Sequence, residues 1–250
     1  MNNSKISESI KLLWLFRENG VDEIISNTSY NRLKSAKKLA KKSLMQKDDT
    51  INRDNSMLRN QVDKIKSIVE LKSYMANFKG CELYKSSTNM VFSDGNPKSN
   101  IMLIGEAPGH DEDIQGKPFV GRSGKLLDKM LEAIELNREK VYIANIIPWR
   151  PPNNRRPTEE EIEICLPFIK KHIKLINPKV IMLLGSTATS ALLKNAEGIT
   201  KIRGKWVELN LDSVSIPTLP TFHPAFLLRQ PAQKKYVWED LKSLKKRISK

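Results

Sequence analysis

Short runs of branched apolar residues occupy positions 101–104, 141–147, 180–184 and 216–222. Between and after them, apolar positions recur at the spacing of one helix face over 123–134, 158–175, 187–193 and 231–248. Strands this continuously apolar are buried on both sides, and their alternation with helices predicts a parallel arrangement. The expected fold is α/β: a three-layer α/β/α sandwich around a central, mostly parallel four-stranded sheet. Pro217 and Pro220 each lack a backbone donor, which pushes the last strand toward a sheet edge or an irregular strand end. Ligands of such sheets sit beyond the carboxyl ends of the strands. The segments expected to carry function are therefore 105–121, 145–157, 185–189 and 223–229.

The pattern before residue 73 differs. The first seventy residues hold no proline and one glycine, Gly20, while Lys34, Lys37, Lys38, Lys41 and Lys42 cluster together. Ile10, Leu13, Trp14, Met57, Ile65, Ile68 and Val69 fall at helical spacing. Residues 1–72 are thus read as a helical, Lys-rich extension of two or three helices, with a polar stretch over 46–56. Residues 73–250 form the α/β domain. The lysines either track phosphates or form a solvated helix face.

Composition narrows the partners. The 250 residues carry 43 Lys and Arg against 28 Asp and Glu, a formal charge of +15. A chain this basic favours a polyanionic partner, usually nucleic acid and less often an anionic membrane, the alternative being a basic surface kept only for solubility. Hydrophobic residues make up 39%, enough for a packed core. No apolar stretch has the length of a membrane span, and no cleavage pattern follows the run at 12–16. With only Cys81 and Cys165, a disulfide scaffold is excluded, and a cytoplasmic, nucleoid-associated protein is expected. Neither a Walker-type nor a dinucleotide-type glycine motif follows any strand.

Three strand exits carry candidate chemistry. The first reads Gly105-Glu106-Ala107-Pro108-Gly109 and continues to Gly116-Lys117-Pro118-Phe119-Val120-Gly121. A tight turn there puts Glu106 at the strand mouth, where a carboxylate orients water or faces a developing cation. Phe119 either presents its ring to a planar ligand or plugs the core. The second exit, Asn145 followed by Pro148-Trp149-Arg150-Pro151-Pro152-Asn153-Asn154-Arg155-Arg156-Pro157, is stiff and cationic, suited to phosphates. Asn145 can donate and accept at once, as a base edge requires, or bond a local turn. Thr158-Glu159-Glu160-Glu161 reads as a capping box rather than as catalytic acids. The third exit is His223-Pro224-Ala225-Phe226-Leu227-Leu228-Arg229. Its histidine can donate to an oxygen gaining negative charge, and its apolar side chains with Arg229 can wedge a base stack; alternatively the segment is a buried apolar helix start with a satisfied histidine. His172 lies in a helical pattern and is read as structural.

In order and spacing, these segments resemble the type-four, thermostable-type uracil-DNA glycosylases of the uracil-DNA glycosylase superfamily, over roughly residues 78–247. The resemblance implies excision of uracil from DNA to leave an abasic site, by base flipping and water attack. Glu106 and His223 would be catalytic, the first handling the water and the second the departing uracil anion. Gly105, Ala107, Phe119 and Asn145 would hold the base, with Phe119 stacking and Asn145 reading its Watson–Crick edge. Arg150, Arg155, Leu227, Leu228 and Arg229 would contact DNA.

Better-known uracil glycosylases read Gly-Gln-Asp-Pro-Tyr in the first motif, whereas Ala107 and Gly109 stand in the Asp and Tyr places here. The carboxylate role therefore moves to Glu106. Type-four members also hold a four-iron, four-sulfur cluster on four cysteines. Cys81 and Cys165 match two of the ligands, while Phe78 and Trp149 occupy the other two places. No metal or cofactor is therefore expected. Some superfamily members carry a nucleophilic histidine on an inserted loop, but here 113–116 runs straight on to Phe119. The alternatives are a glycosylase of broader deaminated-base range and a non-catalytic, polymerase-associated DNA-binding module. Uracil-containing DNA is the expected partner of a monomer.

Overall fold

The computed structural model describes residues 57–194, 197–212 and 214–249. The expectations for the lysine cluster, the 46–56 stretch and the first helices fall outside the described residues. A helical stretch at 57–63 precedes α1 (Ile68–Asn77), β1 (Asp94–Gly95), β2 (Ile101–Gly105), α2 (His110–Gln115) and α3 (Arg122–Glu132). Then come β3 (Tyr142–Asn145), α4 (Glu159–Ile176), β4 (Val180–Leu184), α5 (Ser186–Leu193) and α6 (Ile199–Ile202). The chain closes with β5 (Val207–Leu211), β6 (Val214–Thr221), α7 (Pro224–Arg229) and α8 (Lys234–Ile248).

The strands form one sheet in the order β1-β3-β2-β4-β6-β5. Its four central strands are parallel, as the apolar runs predict, with registers such as Gly105↔Asn145, Ile104↔Leu183 and Leu183↔Pro220. Two antiparallel edge strands enlarge the expected four to six: two-residue β1 on β3 and β5 on β6. Pro217 and Pro220 do not put β6 at an edge, because β5 takes that place. β5 pairs only as far as Val207↔Thr218, and beyond it the Gly204 N–H bonds the Pro220 carbonyl at 2.9 Å. A proline removes one donor and leaves its carbonyl and the rest of the ladder available.

Alternation along the strands builds the three layers. Met102, Ile104, Tyr142, Ala144, Ile181 and Leu183 pack with Cys165, Ile169, Ile173 and Leu192 of α4 and α5. Their neighbours Leu103, Ile143, Met182 and Leu219 pack with Leu127, Leu131, Val237, Leu241 and Leu244 of α3 and α8. A smaller cluster joins Leu58, Val62, Ile65 and Leu71 to Phe92 and Phe168. Residues 57–72, which composition groups with the extension, thus pack on the α/β domain. His172 is structural: its Nε2 lies 2.7 Å from the Tyr142 hydroxyl in the core. No described helix is long and apolar enough to cross a membrane.

Candidate active site

Parallel register brings the strand exits to one level. Gly105 and Asn145 face each other across β2 and β3, while Ile104↔Leu183 sets Glu106 beside the start of α5. A cavity of about 610 Å³ opens there, lined among others by Glu106, Ala107, Phe119, Asn145, Arg155, His223 and Arg229. Side chains from sequence positions more than a hundred residues apart therefore converge as the motif spacing implies.

Asn145 is 8% exposed. Its Oδ1 is buried with no hydrogen-bond partner among the described residues. An acceptor so placed at a cavity wall is available to a donor that enters the cavity. Gly105 makes room for this arrangement. A Cβ at that position would come within 2.5 Å of both Asn145 Oδ1 and the Phe119 ring.

The ring of Phe119 is fixed by an unusual backbone, with φ of 56° in the left-handed region. Glu112 accepts the Val120 and Gly121 N–H groups, each at 2.9 Å, and the Gly109 N–H at 3.1 Å, tying the two halves of the first motif together. Phe119 stacks beside His223 with centroids 5.5 Å apart.

His223 caps α7, its Nδ1 accepting the Ala225 N–H at 3.1 Å. With Nδ1 an acceptor, the neutral ring carries its proton on Nε2, a donor toward a ligand oxygen. Burial, with a smaller push from the Arg229 charge, lowers the histidine to about 4. The ring is therefore neutral at physiological pH.

Glu106 accepts a hydrogen bond from the Thr187 hydroxyl in the first turn of α5. The strand pattern marks 185–189 as an exit but gives Thr187 no role. The signal that finds it is the β2–β4 register, which sequence alone does not supply.

The proposed DNA contacts divide. Arg155 lines the cavity but is held by Glu161 at 2.6 and 2.8 Å. Arg150 donates to His110 Nδ1 at 3.0 Å and to Asn154 Oδ1 at 2.7 Å. Arg156, the third arginine of the cationic loop, also lines the cavity. Leu227 requires a correction: at 1% exposure it belongs to the core with Val237 and Leu241 and is not an exposed wedge. The single turn of α7 packs that side inward and leaves Leu228, 38% exposed, as the apolar tip beside exposed Arg229.

A family model for the Uracil DNA glycosylase superfamily matches residues 92–244, which contain the whole sheet and every cavity residue named above. This chain belongs to that superfamily. The type-4 uracil-DNA glycosylase of Saccharolobus solfataricus is 45% identical over 174 residues, 68% of this chain and 81% of the relative. That of Sulfurisphaera tokodaii is 41% identical over 72% of this chain and 84% of its own. That of Thermotoga maritima is 42% identical over 68% and 88% respectively.

The iron–sulfur cluster that type-four superfamily members imply does not fit the residues present. Cys81 and Cys165 are free, fully buried thiols, and the Cys165 S–H donates a hydrogen bond to Cys81. That bond lowers the Cys81 pKa, whereas burial raises Cys165 well above the usual thiol range. At the other two places the Phe78 and Trp149 rings stack with centroids 6.3 Å apart, and Phe78 meets Phe168 edge-on at 4.9 Å. Two thiols and a ring stack cannot make four-thiolate ligation. Among the described residues, no three His, Cys, Asp or Glu side chains are grouped to hold a metal.

Proposed function

We propose that this protein hydrolyses the N-glycosidic bond of uracil in DNA, releasing the base and leaving an abasic site without cutting the strand. The observation that carries the reading is the buried Asn145 Oδ1 at the cavity wall, without a hydrogen-bond partner among the described residues. Uracil supplies an N3–H donor to that oxygen and an O4 acceptor to the Asn145 amide N–H. Cytosine presents the reverse pattern, leaving both sides unpaired at about 1–3 kcal/mol each. The flipped base lies against Phe119, as enzymes acting on a base require it to leave the stack.

As the C1′–N1 bond lengthens, its electron pair passes to uracil and concentrates on O2, where the neutral His223 donates from Nε2. Positive charge grows on the sugar, facing the Glu106 carboxylate. A water held by Glu106 attacks C1′ and passes its proton to the Glu106 carboxylate as the new C1′–O bond forms. Thr187 fixes the carboxylate for this. The similarity to relatives named type-4 uracil-DNA glycosylases supports the same activity. We further read the protein as working without an iron–sulfur cluster.

Uracil release from single-stranded, U·G and U·A oligonucleotides tests the reading. Wild-type protein releases uracil, while Asn145→Ala and Glu106→Ala each lose about 10²-fold or more in rate. Unchanged rates in both variants would overturn the site assignment. Salt-sensitive DNA binding without release would favour the non-catalytic module instead.

A further inference from the structure

We propose that Arg138, outside every segment the sequence singles out, is a positioning residue that holds Phe119 in place as the floor of the base slot. It lies in the 3₁₀ turn before β3, and its guanidinium reaches back to the first motif. Nη1 donates to the Pro118 carbonyl at 3.1 Å, and Nη2 donates to the Phe119 carbonyl. Two carboxylates hold the guanidinium in turn, Asp94 on Nη1 at 2.6 Å and Asp128 on Nε at 2.8 Å. The Arg138 and Asp94 side chains are each 24% exposed, so the pair is partly withdrawn from solvent screening.

Phe119 needs such support. An aromatic residue at φ of 56° is strained by about 1–2 kcal/mol and persists only where its surroundings determine it. The two sides of its peptide are pinned separately. Arg138 takes the carbonyls of 118 and 119, and Glu112 takes the N–H groups of 120 and 121. Gly124 completes the cradle, because a Cβ there would stand 1.7 Å from the Phe119 oxygen. With the backbone clamped, the ring has one place to go, against Gly105 and beside His223. This also gives the two-residue strand β1 a purpose, since it delivers Asp94 to the guanidinium.

The inference rests on the reading of the cavity as a uracil slot, and the test separates the two. The chain has three histidines, so their imidazole proton resonances are readily resolved. The Phe119 ring current marks that of His223. Arg138→Met keeps length and removes every donor, while Arg138→Lys restores one charge. In Arg138→Met the His223 resonance moves toward its position in Phe119→Ala, and inhibition by free uracil weakens about tenfold, the loss of one stacking contact. Arg138→Lys lies between, and adding Arg138→Met to Phe119→Ala costs no further inhibition because both act through one ring.

A lower melting temperature with the His223 resonance and uracil inhibition unchanged would overturn the proposal, as would full additivity of the two substitutions. If wild-type protein neither releases nor binds uracil while the resonance still moves, the positioning stands and the uracil reading fails.

Discussion

Asn145 and His223 show burial acting in opposite directions on two polar side chains. Burial leaves the Asn145 oxygen without a partner among the described residues, and it keeps His223 neutral with its proton on Nε2, since Nδ1 accepts the Ala225 N–H. Core-bound His172 is lowered further, to about 3, by the same desolvation. The sign of the resulting pH dependence follows from the unfolded chain, where both histidines take up a proton near their ordinary pKa of about 6.5. Below that value the unfolded state binds more protons than the folded one. Stability is therefore complete above about pH 6.5 and falls as pH drops toward the folded values of about 4 and 3. Urea midpoints measured from pH 7 to pH 4 should decline, with a contribution from His172 of a few kcal/mol. A shallower decline through that window in a His172→Gln background than in wild type would assign the difference to that ring, the remaining fall belonging to His223.

At the scale of elements, α4 makes the clearest case for local sequence deciding structure. The Thr158 hydroxyl accepts the Glu161 N–H at 3.2 Å, and Glu161 accepts the Thr158 N–H at 2.8 Å, the capping box that the motif predicts. Glu161 also anchors Arg155, which no local rule foretells. Thr158→Ala should lower stability by about 1 kcal/mol in denaturant titration, the usual value of such a cap. The edge strands are the opposite case. β1 has two residues and β5 is half exposed, so neither makes the apolar run that reveals β2, β3 and β4. Their existence depends on the strand beside them.

Over the whole molecule, the place of the implied cluster joins the loop before β1, the exit of β3 and the middle of α4. Phe78, Trp149 and Phe168 fill it with ring contacts, supported by the buried Cys81–Cys165 pair. Protein purified without oxygen should accordingly show no absorption band near 400 nm and no stoichiometric iron. About four irons per chain would overturn this. The net charge of +15 is likewise a property of the whole chain. It suits a phosphate backbone as partner without saying which face meets it.

The apolar runs, the caps and the order of the motifs were enough to set the parallel core and to bring Glu106, Phe119, Asn145 and His223 to one rim, because strand periodicity and motif spacing are local properties of the chain. Only the tertiary structure turned Leu227 inward, set Thr187 against Glu106, drew Arg138 onto the Pro118 and Phe119 carbonyls and left the Asn145 oxygen without a partner among the described residues. Each of these depends on which element packs beside which, and a side chain's neighbours across a fold are not written in its neighbours along the chain.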